Sequence, residues 1–169
     1  KGKNGVTAAK GDGIVSATQP KFEGEVTATI QGNNGAVRII AIGEKTWMSF
    51  FTKDFNPVDM ADLGAPNPAE FFRTGSGVDQ ILAHTSDATA GERTRSGDRV
   101  LQEYTGTIPK EDITRLFNLG EGRETFDVTY GIEPDSGELR SVKITGDFYK
   151  ETETTFTLTL KDYGKSVQI

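Results

Sequence analysis

The chain of 169 residues contains no cysteine and a single histidine, His84. The first absence excludes disulfides, thiolate metal sites and cysteine nucleophiles together. With one imidazole and no thiol, zinc sites of the usual His/Cys types are excluded too. No strained Gly-x-Ser-x-Gly turn occurs, so a Ser–His–acid arrangement has no nucleophile elbow. His84 then reads as a polar helix residue near a rim. None of the glycine-rich pieces is followed by Lys-Ser/Thr at the head of a helix, as a phosphate loop requires. No stretch approaches the roughly 18 apolar residues that cross a bilayer as a helix. Positive charge is scarce as well, with 19 basic residues against 25 acidic ones and a net charge of -6. That balance leaves no basic patch for nucleic-acid phosphates and no polybasic run for an anionic membrane surface. The nearest candidate, Lys1 to Lys10, spreads three lysines among glycine and alanine.

What is present is glycine, 20 residues of it, with a hydrophobic fraction of 34%. Both fit many tight turns around a thin core within one domain. The chain opens at Lys1 in polar sequence, without an initiating Met or a signal peptide, and reads as the ordered part of something longer.

Most of the sequence alternates at period two. Phe22, Val26, Ala28 and Ile30 alternate with Glu23, Glu25, Thr27 and Thr29, and the turn formers Gln31 to Gly35 read as a hairpin connection. The next pair of strands, 37–42 and 46–51, is apolar on both faces. It carries Ile39, Ile40, Ala41 and Ile42, then Trp47, Met48, Phe50 and Phe51. Residues 54–68, with Pro57, Gly64, Pro66 and Pro68, read as an irregular loop. Asn67, Pro68 and Glu70 have the order of an N-cap, a first-turn proline and a capping-box acid, which starts a short helix presenting Phe71 and Phe72. Ser76 is placed to cap a second helix whose face is Val78, Ile81, Leu82 and Thr85. Ser96-Gly97-Asp98 turns a hairpin between 90–95 and 99–107. Pro109 opens another helix, with Glu111 and Asp112 in the first turn where the dipole favours acids. Its apolar face is Ile113, Leu116 and Phe117, and Gly120 is a plausible C-terminal cap. Closing strands alternate through Phe126, Val128, Tyr130 and Ile132, then Val142 and Ile144, then Phe156, Leu158 and Leu160, with a last strand near 166–169. Eight or so strands with helices inserted in the middle, and no βαβ alternation, make this α+β with an antiparallel sheet.

Chemistry-bearing clusters are few. Asp54, Asp59 and Asp62 share the proline-rich loop but lack the acid–acid–Gly order and closing Glu of a calcium loop, so they read as loop solvation. Glu23 with Glu25, and Glu151 with Glu153, read as solvent faces of strands. The apolar group Trp47, Met48, Phe50, Phe51, Phe71 and Phe72 supports two readings. It either seals helices onto the sheet or lines an apolar volume for acyl chains. Composition and periodicity do not separate the two.

Four stretches carry a resemblance. Thr7 to Asp12 looks like the approach to an early strand. Asp59 to Leu63, Pro68 and Gly77 to Leu82 look like a proline-bearing loop and its following helix. The hairpin Gly91 to Gly106 turns at Ser96-Gly97-Asp98. Leu160 to Ile169 looks like a closing strand in which an aromatic and a glycine precede a Val-Gln ending. On these, the sequence resembles the LppX/LprA/LprF/LprG family of mycobacterial lipoproteins, whose fold is similar to that of the LolA/LolB carriers.

The resemblance implies a curved antiparallel sheet, a half-barrel, with short helices covering its concave face. It implies one lipid-binding domain over 1–169 that lacks the family's N-terminal helix, strand and lipid-anchor segment. The implied role is non-enzymatic: holding acyl chains of a glycolipid or acylglycerol and carrying them across or within the cell envelope, with a membrane exporter as a partner. The chain would be a monomer without cofactor or metal, lipid-anchored outside the cytoplasm. Matching strands and helices places Val26, Ala28, Ile30, Ile40, Trp47, Met48, Phe51, Phe72, Ile81, Leu82, Leu116, Phe117, Val128, Val142 and Ile144 around the cavity. The alternative is a cell-envelope protein-interaction module with a closed core. A hydrolase centred on His84 is a third, weaker reading.

Overall fold

The structure is a computed structural model, and it describes residues 5–30, 33–50, 53–63, 65–118, 123–149 and 152–163. Among the described residues ten strands fall into two open, all-antiparallel meanders, ordered β1-β2-β3-β4-β5 and β10-β9-β8-β7-β6. The chain divides into two compact units, one running to Gln80 and the other starting at Ile81. The α+β class with antiparallel sheets and short helices is the architecture that the sequence pattern called for.

The first unit holds β1 (Gly5–Ile14), β2 (Lys21–Ile30), β3 (Asn33–Ile42), β4 (Lys45–Phe50) and β5 (Asn56–Val58). The last of these is a three-residue strand inside the stretch expected to be irregular. Strand β1 was not expected from alternation, because its sequence is glycine, alanine and lysine rather than alternating apolar residues. Glycine has a packing use there. A Cβ at Gly13 would lie 2.3 Å from the Phe72 ring, and one at Gly11 would lie 2.6 Å from the Phe22 ring. The glycines are the gaps that admit rings from neighbouring elements.

Cross-strand partners share a face. One face therefore carries Gly24, Ile39 and Met48, with Val26 and Val37 opposite one another. Val37, Ile39, Met48 and Met60 form a buried cluster, with Phe22, Val26, Val58 and Ala65 packed against it. A 3₁₀ helix, Pro68–Phe72, covers this face and packs on β1, β2 and β3. Its start is the one read from sequence: the Asn67 side chain accepts from Ala69 N–H at 3.0 Å, and proline follows. The Asn67 amide also donates to the Gly43 carbonyl at 2.8 Å, tying the helix to the β3–β4 turn. At its far end Ser16 N–H donates to Phe72 O at 3.0 Å, and Arg73 makes two bonds of 2.6 Å to Glu70.

Helix α1 (Val78–Ala83) begins later than a Ser76 cap would place it. The Gly77 carbonyl accepts from Gln80 N–H at 3.1 Å, and the Asp79 carboxylate accepts from Gly75 N–H at 2.6 Å. Gly77 sits where a Cβ would lie 2.5 Å from the Phe71 carbonyl oxygen, so a larger residue has no room at that start.

The second unit holds β6 (Ser86–Ser96), β7 (Arg99–Pro109), α2 (Lys110–Phe117), β8 (Thr125–Ile132), β9 (Leu139–Tyr149) and β10 (Thr152–Thr159). Gly97, at φ +65°, turns the β6–β7 hairpin, as the Ser-Gly-Asp signal predicts. Edge strand β6 is exposed along nearly its whole length, carries two register shifts, and bears Arg93 and Arg95. Bulges and charge on an edge discourage pairing with another chain. Its partner faces are better filled. Ile108 pairs with Phe126, Val128 with Ile144, Tyr130 with Val142 and Ile144 with Phe156. Helix α2 lies on β7 and β8, burying Ile113, Leu116 and Phe117. Its C-terminus is capped by Asn118 in the left-handed region (φ 52°), whose N–H donates to Thr114 O at 2.9 Å. Asn tolerates this conformation at a helix end. Gly120, the cap expected from sequence, lies outside the described residues, as do 166–169 and the first two residues of the expected 31–35 turn, whose Asn33 to Gly35 belong to β3.

Candidate functional site

Each sheet has one face turned to a helical cover, and these faces are where the expected lining residues can be tested for company. In the first unit Val26, Met48 and Phe72 share the covered face. Phe72 stacks on Phe22 at 6.2 Å between ring centroids. Ile40 and Trp47 do not join them. They pair with each other, and Ile40 pairs with Glu23, which puts them on the opposite face. Adjacent residues in a strand point to opposite sides, so Trp47 and Met48 cannot line one surface. The two-faced strand pair is thus explained by the 3₁₀ helix on one side, while Ile40 and Trp47 are half-buried on the side that carries the charges. Ala28 and Ile30 of β2 pair with Gly35 and Asn33 of β3; their side chains, and all of Phe51, lie outside the described residues.

On the charged face an open groove of about 410 Å³ is bordered by Lys10, Asp12, Glu23, Glu25 and Arg38, with Arg38 5.0 Å over the Phe55 ring. Lys10 pairs with Glu25 at 3.4 Å. Mixed charge of this kind is poor lining for an acyl chain.

In the second unit the covered face gathers more of the expected residues. Val128, Val142 and Ile144 are 1–2% exposed, and Leu116 and Phe117 close over that sheet from α2. Phe117 meets Phe148 and Phe156 edge-on at 5.0 and 4.9 Å, and Phe126 meets Phe148 at 5.1 Å. Gly146 makes room for this cluster, since a Cβ there would lie 2.3 Å from the Phe126 ring. Ile81 is fully buried, whereas Leu82 is 39% exposed and turns away from the covered side.

A polar group at the helix ends was not visible in the sequence as a group. His84 Nδ1 donates to both carboxylate oxygens of Asp112, at 3.0 and 2.9 Å, and Arg115 reaches the same carboxylate at 3.1 Å. Asp112 is 7% exposed at its side chain, whereas His84 is half exposed. The Thr85 hydroxyl donates to the Ile81 carbonyl at 2.8 Å and lies 2.6 Å from the Tyr130 hydroxyl. A hydroxyl has one proton to give, so Tyr130 donates to Thr85. Burial, reinforced by the nearby Asp112 charge and partly offset by Thr85, pushes the Tyr130 phenol up to about 12. It stays protonated at neutral pH. The only sequence signal for Asp112 was its first-turn position, which the helix dipole alone accounts for. The three aspartates of the 54–68 loop serve the loop itself where a partner is seen: Asp59 accepts from Ala61 N–H at 2.9 Å.

Several solved structures resemble the chain. LprF from Mycobacterium bovis matches with a TM-score of 0.72 at 15% identity, covering 89% of this chain and 73% of its own. The Mycobacterium tuberculosis lipoprotein LppX matches with a TM-score of 0.57 at 17% identity, covering 95% of this chain and 86% of its own. At these identities the likeness is one of fold. Among curated proteins none matches. The family model for the LppX_LprAFG lipoproteins, by contrast, matches residues 2–169. That span, over the helix-covered antiparallel sheets described above, identifies the chain as a member of the LppX_LprAFG lipoprotein family, and hence as a protein of the cell envelope, outside the cytoplasm.

Proposed function

We propose that this protein binds the acyl chains of a glycolipid or acylglycerol against its helix-covered apolar faces and carries that lipid across or within the cell envelope. The observation that carries the reading is the family match over 2–169, joined to sheets that each have an apolar face packed by a short helix. Short helices held by side chains can move aside at modest cost, which a lipid carrier needs. Each methylene taken out of water contributes about 0.8 kcal/mol, so one acyl chain brings enough free energy to offset the displacement of a small helix.

The role is non-enzymatic: a carrier needs apolar volume, not a nucleophile. The whole of 1–169 works as one lipid-binding domain, monomeric, attached to the membrane through a lipid anchor and handing cargo to or from a membrane exporter. As lipid-lining residues we assign Val26, Met48 and Phe72 on the covered face of the first unit, and Ile81, Leu116, Phe117, Val128, Val142 and Ile144 in the second. Ile40 and Trp47 are left out of this assignment because their register puts them on the other face, and Leu82 because it is exposed. A second reading is favoured by the near-complete burial of Val128, Val142 and Ile144. On that reading the core is closed and the protein is a cell-envelope interaction module with no lipid cargo.

Native mass spectrometry of the gently extracted protein, followed by addition of a diacylglycerol, separates the two. The carrier reading expects a lipid-sized mass increment, endogenous or added. A clean protein mass with no uptake would establish the closed module instead.

A further inference from the structure

Among the described residues Asp112 is the only charged side chain in the buried set. A carboxylate taken out of water is strongly unfavourable unless its oxygens are paired. Here both oxygens face His84, from the end of α1, 28 residues away in sequence. Helix α1 has six residues, too few to persist on backbone bonding alone, so its end must be held by side chains. Two consecutive residues do this. His84 grips Asp112 on α2, and Thr85 bonds to Tyr130 on β8. The sheet leaves space for Thr85 through Gly106, where a Cβ would lie 2.5 Å from the Thr85 methyl carbon.

The two ends of the His84–Asp112 contact differ in a way that suits opening. His84 is half exposed, so water can replace its hydrogen bond without entering the core. When it leaves, Asp112 is not stranded, because Arg115 remains 3.1 Å from its Oδ1 on the same helix. A contact that breaks without leaving a bare buried charge has two tolerable states. We propose that the His84–Asp112 pair is a latch that holds the end of α1 down beside α2 and sets the rate at which a bound acyl chain leaves the second unit's apolar face. This rests on the lipid-carrying reading, and it adds the residues that time release.

The test loads the full chain with a diacylglycerol bearing a fluorophore on one acyl chain and chases it into phosphatidylcholine vesicles. His84→Ala and Asp112→Asn each speed release roughly tenfold, the effect of losing one hydrogen bond to a charged group. His84→Asn, whose side-chain amide nitrogen stands near the place of Nδ1, returns release toward the wild-type rate. Hydrogen exchange of the 81–86 amides rises in His84→Ala and falls back in His84→Asn. Because His84 is half exposed, its substitution leaves the core packing in place, so the latch stays testable if Asp112→Asn folds poorly. A loaded wild type whose release rate and exchange are unmoved by His84→Ala overturns the latch alone. So does a His84→Asn variant that behaves like His84→Ala. A wild type that takes up no diacylglycerol overturns the carrier reading, and the latch as a lipid gate with it.

Discussion

The two sheets are built alike, each a five-stranded antiparallel meander with one helix-covered face, yet they are filled differently. In the second unit the covered face is closed by β-branched residues and a four-ring aromatic cluster, with Phe126 and Phe148 almost fully buried. In the first unit the face is sparser. Gly11, Gly13 and Gly24 lie under the Phe22 and Phe72 rings, Met48 and Met60 fill the remainder, and Phe22 and Val26 are only half-buried. Methionine and ring-over-glycine packing adapt to irregular gaps, whereas interlocked β-branched side chains and aromatic edges specify one arrangement. The covered face of the second unit is therefore the more rigidly packed, and that of the first the more yielding.

That contrast is open to measurement. Phe126→Ala should destabilise most, by about 3–5 kcal/mol, because it empties a fully buried site beneath Phe148 and beside Gly146. Phe22→Ala, at a half-buried site, should cost no more than about 2 kcal/mol. Equal losses in urea unfolding would break the contrast. Gly13→Ala comes next, at about 1–3 kcal/mol, since its Cβ must displace the Phe72 ring. If the first unit yields as described, the loss should fall at the lower end. Thr46→Val should be neutral or stabilising by up to about 1 kcal/mol, because the buried Thr46 hydroxyl has no hydrogen-bond partner among the described residues.

The smallest effect belongs to a charged cluster of the second unit. Arg140 bonds Glu133 at 2.8 and 2.6 Å, with Glu138 beside it, and Arg99 reaches Glu133 at 2.7 Å. The Arg140 hydrogen bond, then that of Arg99, holds the Glu133 carboxyl below its ordinary value. A lowered folded-state value stabilises above the unfolded glutamate range, and that contribution is lost as pH falls through the folded value. Glu133→Gln should therefore lower the melting temperature slightly at neutral pH and flatten its decline on the acid side. An unchanged acid slope would show that the cluster does not discriminate between the folded and unfolded chain.

Much of this organisation was legible from residue order, and the parts that were not have physical reasons. Strands β2, β8 and β10 alternate because one face of each is the more covered, buried in β8 and half-buried in β2 and β10, and the Asn67-Pro68 start and the Ser96-Gly97-Asp98 turn are local signals. Strand β1 was not legible because its glycines serve rings from other elements, which no window along β1 contains. The covered face of β3 and β4 was ambiguous because both faces are apolar there. Only the pairing of Ile40 with Glu23 and Trp47 resolves it. The His84–Asp112 pair was invisible for a related reason: each residue has a sufficient local reading, and only the fold brings them together.

If the protein carries lipid as proposed, an acyl chain lies against its helix-covered apolar faces, the α2-covered face of the second unit among them. The most direct test is photo-crosslinking with a diacylglycerol carrying a diazirine at one acyl terminus, followed by mapping of the labelled residues. Label is expected within 113–117, 126–130 and 142–148, or around Val26, Met48 and Phe72. Label confined to the charged face around Glu23 and Arg38, or no label on a folded chain, would contradict it.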